Sequence, residues 1–519
     1  MQQEWKPRHS PWLIAMGVMM ATFMEVLDTS IANIALPHIA GSLSATPEEA
    51  TWVLTSYLVS NAIVLPTTGW LANHFGRKRV FISCIAMFTI ASALCGLAWS
   101  LPTLIFARVL QGIGGGAMVP IAQSIMLESF PRQKRGAAMA IFAQGVVVAP
   151  ILGPTLGGWI TDSYSWRWIF YINLPVGIMA VLAAQWLVED PPYIQRNKSA
   201  TIDYVGFGLL AVWLATLQIL LDKGQEADWF GAVWVRWFTL VSVLSFAGFI
   251  WWQLRAEHPL VDLTVFKNRN FTIGLILMTT LGAILYGTTA QIPLFLQTLM
   301  GYPALQSGYA MSPRGIAAFV TTFFVGRIVG KVRMRWMLCV GFILLALSSF
   351  MLSDLNLQVS QINVIWPSVV NGIAISFIFV PLTTATMSQL AQQQLGNATG
   401  LYNLMRNLGG SIGIAFVTTM LARGAQVHQA LMVGHLAPDN PAFRQQFEAA
   451  HKLLANHTDP VTASRQAYNA VYSLLDQQAH LLAFVDNFFI FGALALITMP
   501  LIFLFKRVSA PIKPVATGH

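Results

Sequence analysis

The sequence predicts an all-α membrane protein: two six-helix bundles with two further helices inserted between them, fourteen transmembrane helices in all. Three observations carry this prediction. The chain of 519 residues is 55% hydrophobic and only 10% charged, with a mean hydropathy of +0.61, whereas a soluble domain carries about 25% charged residues. Apolar runs recur from residue 12 to residue 505, each near the roughly 20 residues that cross a bilayer. Two short basic loops, GWLANHFGRKR (69–79) and GRIVGKVRMR (326–335), stand at corresponding places in the two halves, which suggests a parallel structural repeat.

The spans run over 12–36, 50–73, 79–99, 102–126, 137–160, 168–188, 204–222, 233–254, 271–296, 305–329, 336–353, 362–388, 400–423 and 482–505, to within a few residues at each edge. They divide the chain into a first bundle (1–188), an insertion of two helices (189–265) and a second bundle (266–519) with one long loop, 424–480. The first run is too long, and too polar at its end, for a cleaved signal peptide. Cys84, Cys95 and Cys339 lie in apolar runs and have neither disulfide nor metal spacing. A net charge of +9 on a soluble chain suggests nucleic acid. Here 20 of the 30 lysines and arginines fall in loops on one side, Lys6, Arg132, Arg196, Lys198, Arg507 and Lys513 among them, so topology accounts for the charge and no nucleic-acid partner is expected. The positive-inside bias places both termini in the cytoplasm. Arg108 and Arg406 are expected within helices. The loop 389–399 has no basic residue, and Arg406, two turns into helix 13, is placed to snorkel toward it.

Helix 1 contains MEVLDTSIANIALP (24–37). Glu25, Asp28, Thr29 and Asn33 stand at i, i+3, i+4 and i+8, which the spacing puts on one face. That face must turn to the bundle interior or to water, because a charge facing lipid costs at least about 2.5 kcal/mol. Desolvation opposes ionisation of both acids, and repulsion opposes two charges side by side. An acid so poised takes up and releases protons; the alternative is a polar contact that holds helices together. After helix 2, Gly69 and Gly76 frame a turn followed by Arg77, Lys78 and Arg79, read either as a positive-inside tether or as a latch that breaks on switching.

Helix 4 contains FARVLQGIGGG (106–116). Arg108 lies roughly 10 Å from the outer end of its helix and Asp28 roughly 12 Å from the outer end of helix 1, at 1.5 Å per residue. Matching depth lets the two pair, directly or through water, with Gln111 one turn away on the same face. Pairing linked to protonation and a purely structural ion pair are both open. Gly112 and Gly116 admit a close neighbouring backbone. In helix 5, GVVVAPILGPTLGG (145–158) repeats a small residue every four positions, at Gly145, Ala149, Gly153 and Gly157. Pro150 and Pro154 bend that helix, as suits a hinge or a sealed interface. The long loop holds NPAFRQQFEAAHKLLANH (440–457), a solvated helical excursion. Helix 13 places Arg406 and Asn407 before a glycine-rich seam, the candidates from the second half, and Asp486 and Asn487 near the outer end of helix 14 read as interfacial. No phosphate loop and no H-E-x-x-H helix occurs, so neither an enzyme nor a metal site is expected.

Together these stretches resemble the major facilitator superfamily and, within it, the fourteen-helix drug:proton antiporters of the EmrB/QacA type. LDTSIANIALP (27–37) is similar to that family's first-helix motif. GWLANHFGRK (69–78) is similar to the superfamily's loop motif, with Asn73 where an acid is common. RVLQGIGGG (108–116) is similar to the motif linked to proton coupling, and GVVVAPILGPTLGG to the antiporter motif. WRWIFYINLPVG (166–177) and LDKGQEADWF (221–230) look like the EmrB branch. The resemblance implies the major facilitator fold and proton-coupled export of hydrophobic or amphipathic small molecules across a bacterial inner membrane. It implies coupling through Asp28, Glu25 and Arg108, supported by Asn33 and Gln111; an antiporter motif of Gly145, Pro150, Gly153, Pro154 and Gly157; and a gating loop of Gly69, Gly76, Arg77 and Lys78. No cofactor beyond the proton gradient is expected. In Gram-negative relatives a periplasmic adaptor and an outer-membrane channel are the implied partners. The alternatives are an exporter of one native metabolite, lipid or siderophore, and a non-transporting scaffold or sensor.

Overall fold

With no water to bond, backbone amides crossing a bilayer must pair within their own segment, and the helix is the solution open to these apolar runs. The computed structural model describes residues 7–131, 134–191, 203–329, 331–434, 436–437, 439–456 and 458–506. Lys6, Arg132, Arg196, Lys198, Arg507 and Lys513, counted above for orientation, lie outside the described residues, as does the side chain of Pro154. Fourteen rods run through the described residues. They are α1 (Pro11–Ser42), α2 (52–75), α3 (Arg77–Leu97), α4 (Leu101–Ser129), α5 (Arg135–Ser163), α6 (Trp168–Leu187) and α7 (Tyr204–Lys223), then α8 (Val233–Gln253), α9 (Arg269–Thr298), α10 (Ala304–Ile328), α11 (Met334–Ser353), α12 (Gln361–Met387), α13 (Leu395–Val433) and α14 (Pro460–Thr498). Eleven are long and apolar enough by themselves to cross a membrane, or twelve if the bent α5 counts as one span. In α2 a 3-10 turn at Leu65–Thr67, containing Pro66, breaks the rod into shorter pieces. In α10 the residues Gln306, Ser307, Ser312 and Arg314 make the helix more polar than its neighbours.

In the first bundle α1 packs on α5 and α6, α2 on α4, and α3 on α4 and α6; in the second α9 packs on α13, α10 on α12, α11 on α12 and α14, and α13 on α14. The bundles meet where α5 lies along α10 and α12, and where α13 crosses α2 and α4. The inserted α7 packs on α8 and also against α2 and α13. Lys223 Nζ donates to Thr51 Oγ1 at 2.5 Å, Thr55 donates to Asp222, and Gln218 Nε2 donates to Ser411 Oγ at 2.8 Å. The insertion therefore bridges the two bundles at the end opposite the basic loops.

Between α13 and α14 the structure departs from the expected loop. Residues 424–433 continue α13, and α14 begins already at Pro460, where Asp459 caps it by accepting from Thr462 N at 3.1 Å. Hydrogen bonds from Thr462, its side chain first and then its backbone N–H, hold the exposed Asp459 carboxyl below its ordinary value. At 39 residues each, the two helices are about 58 Å long, well beyond the roughly 30 Å of a hydrocarbon core. The helix Pro441–Ala455 folds back on α14 through Phe443, Phe447 and Tyr468, with Phe447 and Tyr468 rings 4.5 Å apart. The sequence suggested an excursion with one helix; polar residues at helical spacing hid the continuation of the two flanking rods. Asp486 meets His428 at 2.7 Å, whereas Asn487, expected at the interface, is fully buried.

Candidate functional site

The acids of α1 do not form one site. Asp28 is 2% exposed, and three donors from two other helices converge on it. Arg108 Nη1 on α4 donates to Oδ2 at 2.7 Å, Gln111 Nε2 donates to Oδ1 at 3.0 Å, and Asn173 Nδ2 on α6 donates to Oδ1 at 2.6 Å. Arg108 is fully buried. It spends its remaining contacts on Val53 O (3.0 Å), Gln111 Oε1 (2.7 Å) and the face of Tyr57, 4.3 Å from the ring centroid. Gln111 thus accepts from the cation and donates to the anion. The pairing expected from matching depth is direct. Asn173 was not singled out by sequence reasoning. It lies within WRWIFYINLPVG, and its signal was an uncharged amide in an apolar run. Ser92 Oγ on α3 accepts from it at 3.0 Å.

Glu25 stands one turn away on α1 and is bound only by neutral donors. Its Oε1 accepts from Tyr57 Oη at 3.2 Å and Asn61 Nδ2 at 3.1 Å, while Oε2 is buried without a hydrogen-bond partner. Arg406 of the second bundle is close enough for its charge to act on Glu25. Arg406 does not snorkel: it is 4% exposed, its Nε donates to Asn407 Oδ1 at 3.4 Å, and its Nη1 has no partner. Thr29 and Asn33 depart from the expected stripe. Thr29 Oγ1 donates back to Glu25 O at 3.2 Å, and Asn33 is exposed, apart from the Asp28 cluster. Five residues turn a helix by about 500°, which leaves Asn33 about 140° round from Asp28.

The small-residue stripe of α5 packs against α1. A Cβ on Gly153 would lie 2.2 Å from Ser30 Oγ; Gly145 faces Met19, and Gly157 faces Ile31. The two prolines have a specific consequence. Pro154 has no N–H, so the carbonyl of Pro150 loses its i+4 partner, and Ser30 Oγ of α1 donates to that carbonyl at 2.9 Å instead. Around this point the helix bends by 42° between Arg135–Pro150 and Thr155–Ser163.

At the end that carries the basic loops, Gly76 takes φ +91° and breaks the chain between α2 and α3. Arg77 reaches Glu128 at the end of α4, both buried. Lys78 N donates to Asp190 Oδ1 at 2.8 Å, and its Nζ to Gln185 O at 2.5 Å. Arg77 and Lys78 are therefore held within the first bundle, and Glu128 supplies an acid that Asn73 does not. A close contact with the second bundle is made by Gly69, where a Cβ would stand 2.7 Å from both N and Cα of Asn397. Backbone cannot yield as a side chain can, so Gly69→Ala is expected to hold the bundles apart at this end. Labelling of Thr68→Cys, a fully buried position, by an impermeant maleimide should then rise several-fold over the same cysteine with Gly69 intact; equal labelling would remove the close approach from the argument.

The pattern that defines the Major Facilitator Superfamily matches residues 18–414 of this chain. The chain is similar to the fatty acid resistance protein FarB of Neisseria gonorrhoeae, 36% identical over 95% of this chain and 96% of FarB. It is also similar to the multidrug export protein EmrB of Escherichia coli K12, 39% identical over 85% of this chain and 86% of EmrB. Among solved structures, the human organic anion transporter MFSD10 superposes with a TM-score of 0.63 over 95% of this chain and all of that one, at 12% identity, a likeness of fold alone.

Proposed function

We propose that this chain, which belongs to the Major Facilitator Superfamily, exports hydrophobic and amphipathic small molecules across a bacterial inner membrane in exchange for protons. Its N-terminus is then cytoplasmic, as the positive-inside bias requires. Relatives named for multidrug export and for resistance to fatty acids support the cargo class. The observation that carries the mechanism is the buried Asp28–Arg108 pair with Gln111 and Asn173 around it. Ionisable residues inside a membrane mark ion pathways, and a scaffold needs none.

The division of labour follows from the hydrogen bonds. Asp28 has both oxygens occupied and Arg108 beside it. Glu25 has Oε2 free, and its charge attracts Arg406 of the opposite bundle. A proton reaching Glu25 removes that attraction and loosens the second bundle. Rearrangement that separates Asp28 from Arg108 makes Asp28 the next acceptor. Each charge falling through 100 mV supplies about 2.3 kcal/mol and each pH unit about 1.4 kcal/mol, so one or two protons drive a useful concentration ratio without a cofactor. The adaptor and outer-membrane channel implied for Gram-negative relatives belong to the same proposal; the projecting ends of α13 and α14 are where an adaptor would meet the transporter.

The test is proton movement in proteoliposomes. A lipophilic substrate added to vesicles holding a pH gradient should accelerate its collapse, with substrate accumulating against its own gradient. A gradient that decays at the same rate with and without substrate would return the chain to the scaffold class.

A further inference from the structure

Arg314 falls within the tenth predicted span, 305–329. The structure puts it ten residues into α10, 2% exposed, with Nη1 donating to Thr289 Oγ1 on α9 at 3.0 Å and Nη2 without a partner. No carboxylate pairs with it among the described residues, and α9 through α13 contain no Asp or Glu. We propose that Arg314, Asn371 and Thr289 form an anion subsite in the second bundle that takes the carboxylate of an acidic amphiphile carried by this protein. The inference rests on the exporter reading and names one class of its cargo.

The internal repeat defines the place. RVLQGIG (108–114) on α4 reappears as SVVNGIA (368–374) on α12, and the packing confirms the register. A Cβ on Gly112 would lie 2.5 Å from Tyr57 O and 3.2 Å from Asn61 N; on Gly372, 2.1 Å from Arg314 O and 3.1 Å from Ala318 N. Asn371 therefore stands where Gln111 stands, and Arg314 where Tyr57 stands. The first bundle completes this polar layer with its own acid, Asp28. The second keeps an amide and a cation and has no acid to match. A buried cation without a counter-ion carries a standing penalty that a bound anion relieves, and arginine binds carboxylate through paired N–H donors.

The surroundings suit an amphiphile. Leu285, Ala318 and Ile375 pack together with Val147 of α5. One turn from this cluster, on the side away from the basic loops, stand Thr289, Arg314 and Asn371 on the same three helices. Asn371 is 1% exposed with both amide atoms unpartnered. A carboxylate head on Arg314 and Asn371 leaves its chain against the apolar cluster. Val147 comes from the first bundle, so the subsite opens as α5 parts from α10, next to the bend at Pro150.

The test compares two probes with one tail and opposite heads, dodecanoate and dodecyltrimethylammonium, binding to the full chain in phosphatidylcholine nanodiscs. In Arg314→Gln the affinity for dodecanoate should fall about tenfold or more, as for loss of a charge-assisted hydrogen bond, with dodecyltrimethylammonium changed less than about twofold; Arg314→Lys should retain part of the dodecanoate affinity. Asn371→Leu keeps the cation and should weaken dodecanoate selectively as well, which covers the case of Arg314→Gln failing to fold. Equal weakening of both probes, unchanged dodecanoate binding in the variants, or no dodecanoate binding to the unmodified protein would overturn the subsite. Binding is read without transport, so a protein that binds dodecanoate through Arg314 yet moves no protons sinks the exporter reading and leaves the subsite standing.

Discussion

Asp28→Asn should reduce pH-driven export in inverted vesicles to the level of vesicles without the protein. The amide can still accept from Arg108 or Gln111, but it carries no proton that responds to a gradient. The substitution also strands Arg108, which is fully buried, and breaking one side of a buried ion pair costs about 3–5 kcal/mol. Lost export alone would therefore not separate coupling from folding. The double variant Asp28→Asn/Arg108→Gln removes both charges and should recover most of the thermal stability while export stays absent. Export recovered with stability would mean that the pair only holds helices together. Wild-type export in the single variant would remove Asp28 from the mechanism.

The second large effect is expected at the opposite end of the same helices. Arg77 and Glu128 are both buried where α2, α3 and α4 meet, and Arg77→Gln leaves the Glu128 carboxylate without its cation. The same range, about 3–5 kcal/mol, applies to the stability of the first bundle at this end. We expect a lowered unfolding temperature and a looser seat for Gly69 on Asn397, seen as faster maleimide labelling of Thr68→Cys from the face that carries the basic loops. Adding Glu128→Gln should restore both. An unfolding temperature within a degree of the parent would mean that water already reaches this pair.

The structure separates what a sequence states from what it leaves ambiguous. A charge inside an apolar run is conspicuous, and helix rise converts its position to depth; that arithmetic led to Asp28, Arg108 and their pairing. Direction around the helix is harder. Spacing measured from Glu25 put Asn33 on the acid face, yet it lies far round from Asp28 and is exposed. Neutral partners were invisible for a related reason. Asn173, Tyr57 and Asn61 carry no charge to stand out, and only packing brings them to the acids. The small-residue stripe of α5 was legible as a seam, but no pattern named α1 as the helix it meets.

One short stretch of α1 has a consequence for how chemistry becomes movement. Asp28 and Ser30 ride on the same rigid rod, two residues apart, the first gripping the arginine and the second holding the proline-freed carbonyl of α5. Any twist of that rod that releases the acid also drags the hydroxyl off the pivot. Under the proposed exchange, loading with hydrogen and yielding of the joint are two ends of a single lever, and neither proceeds far while the other stays put.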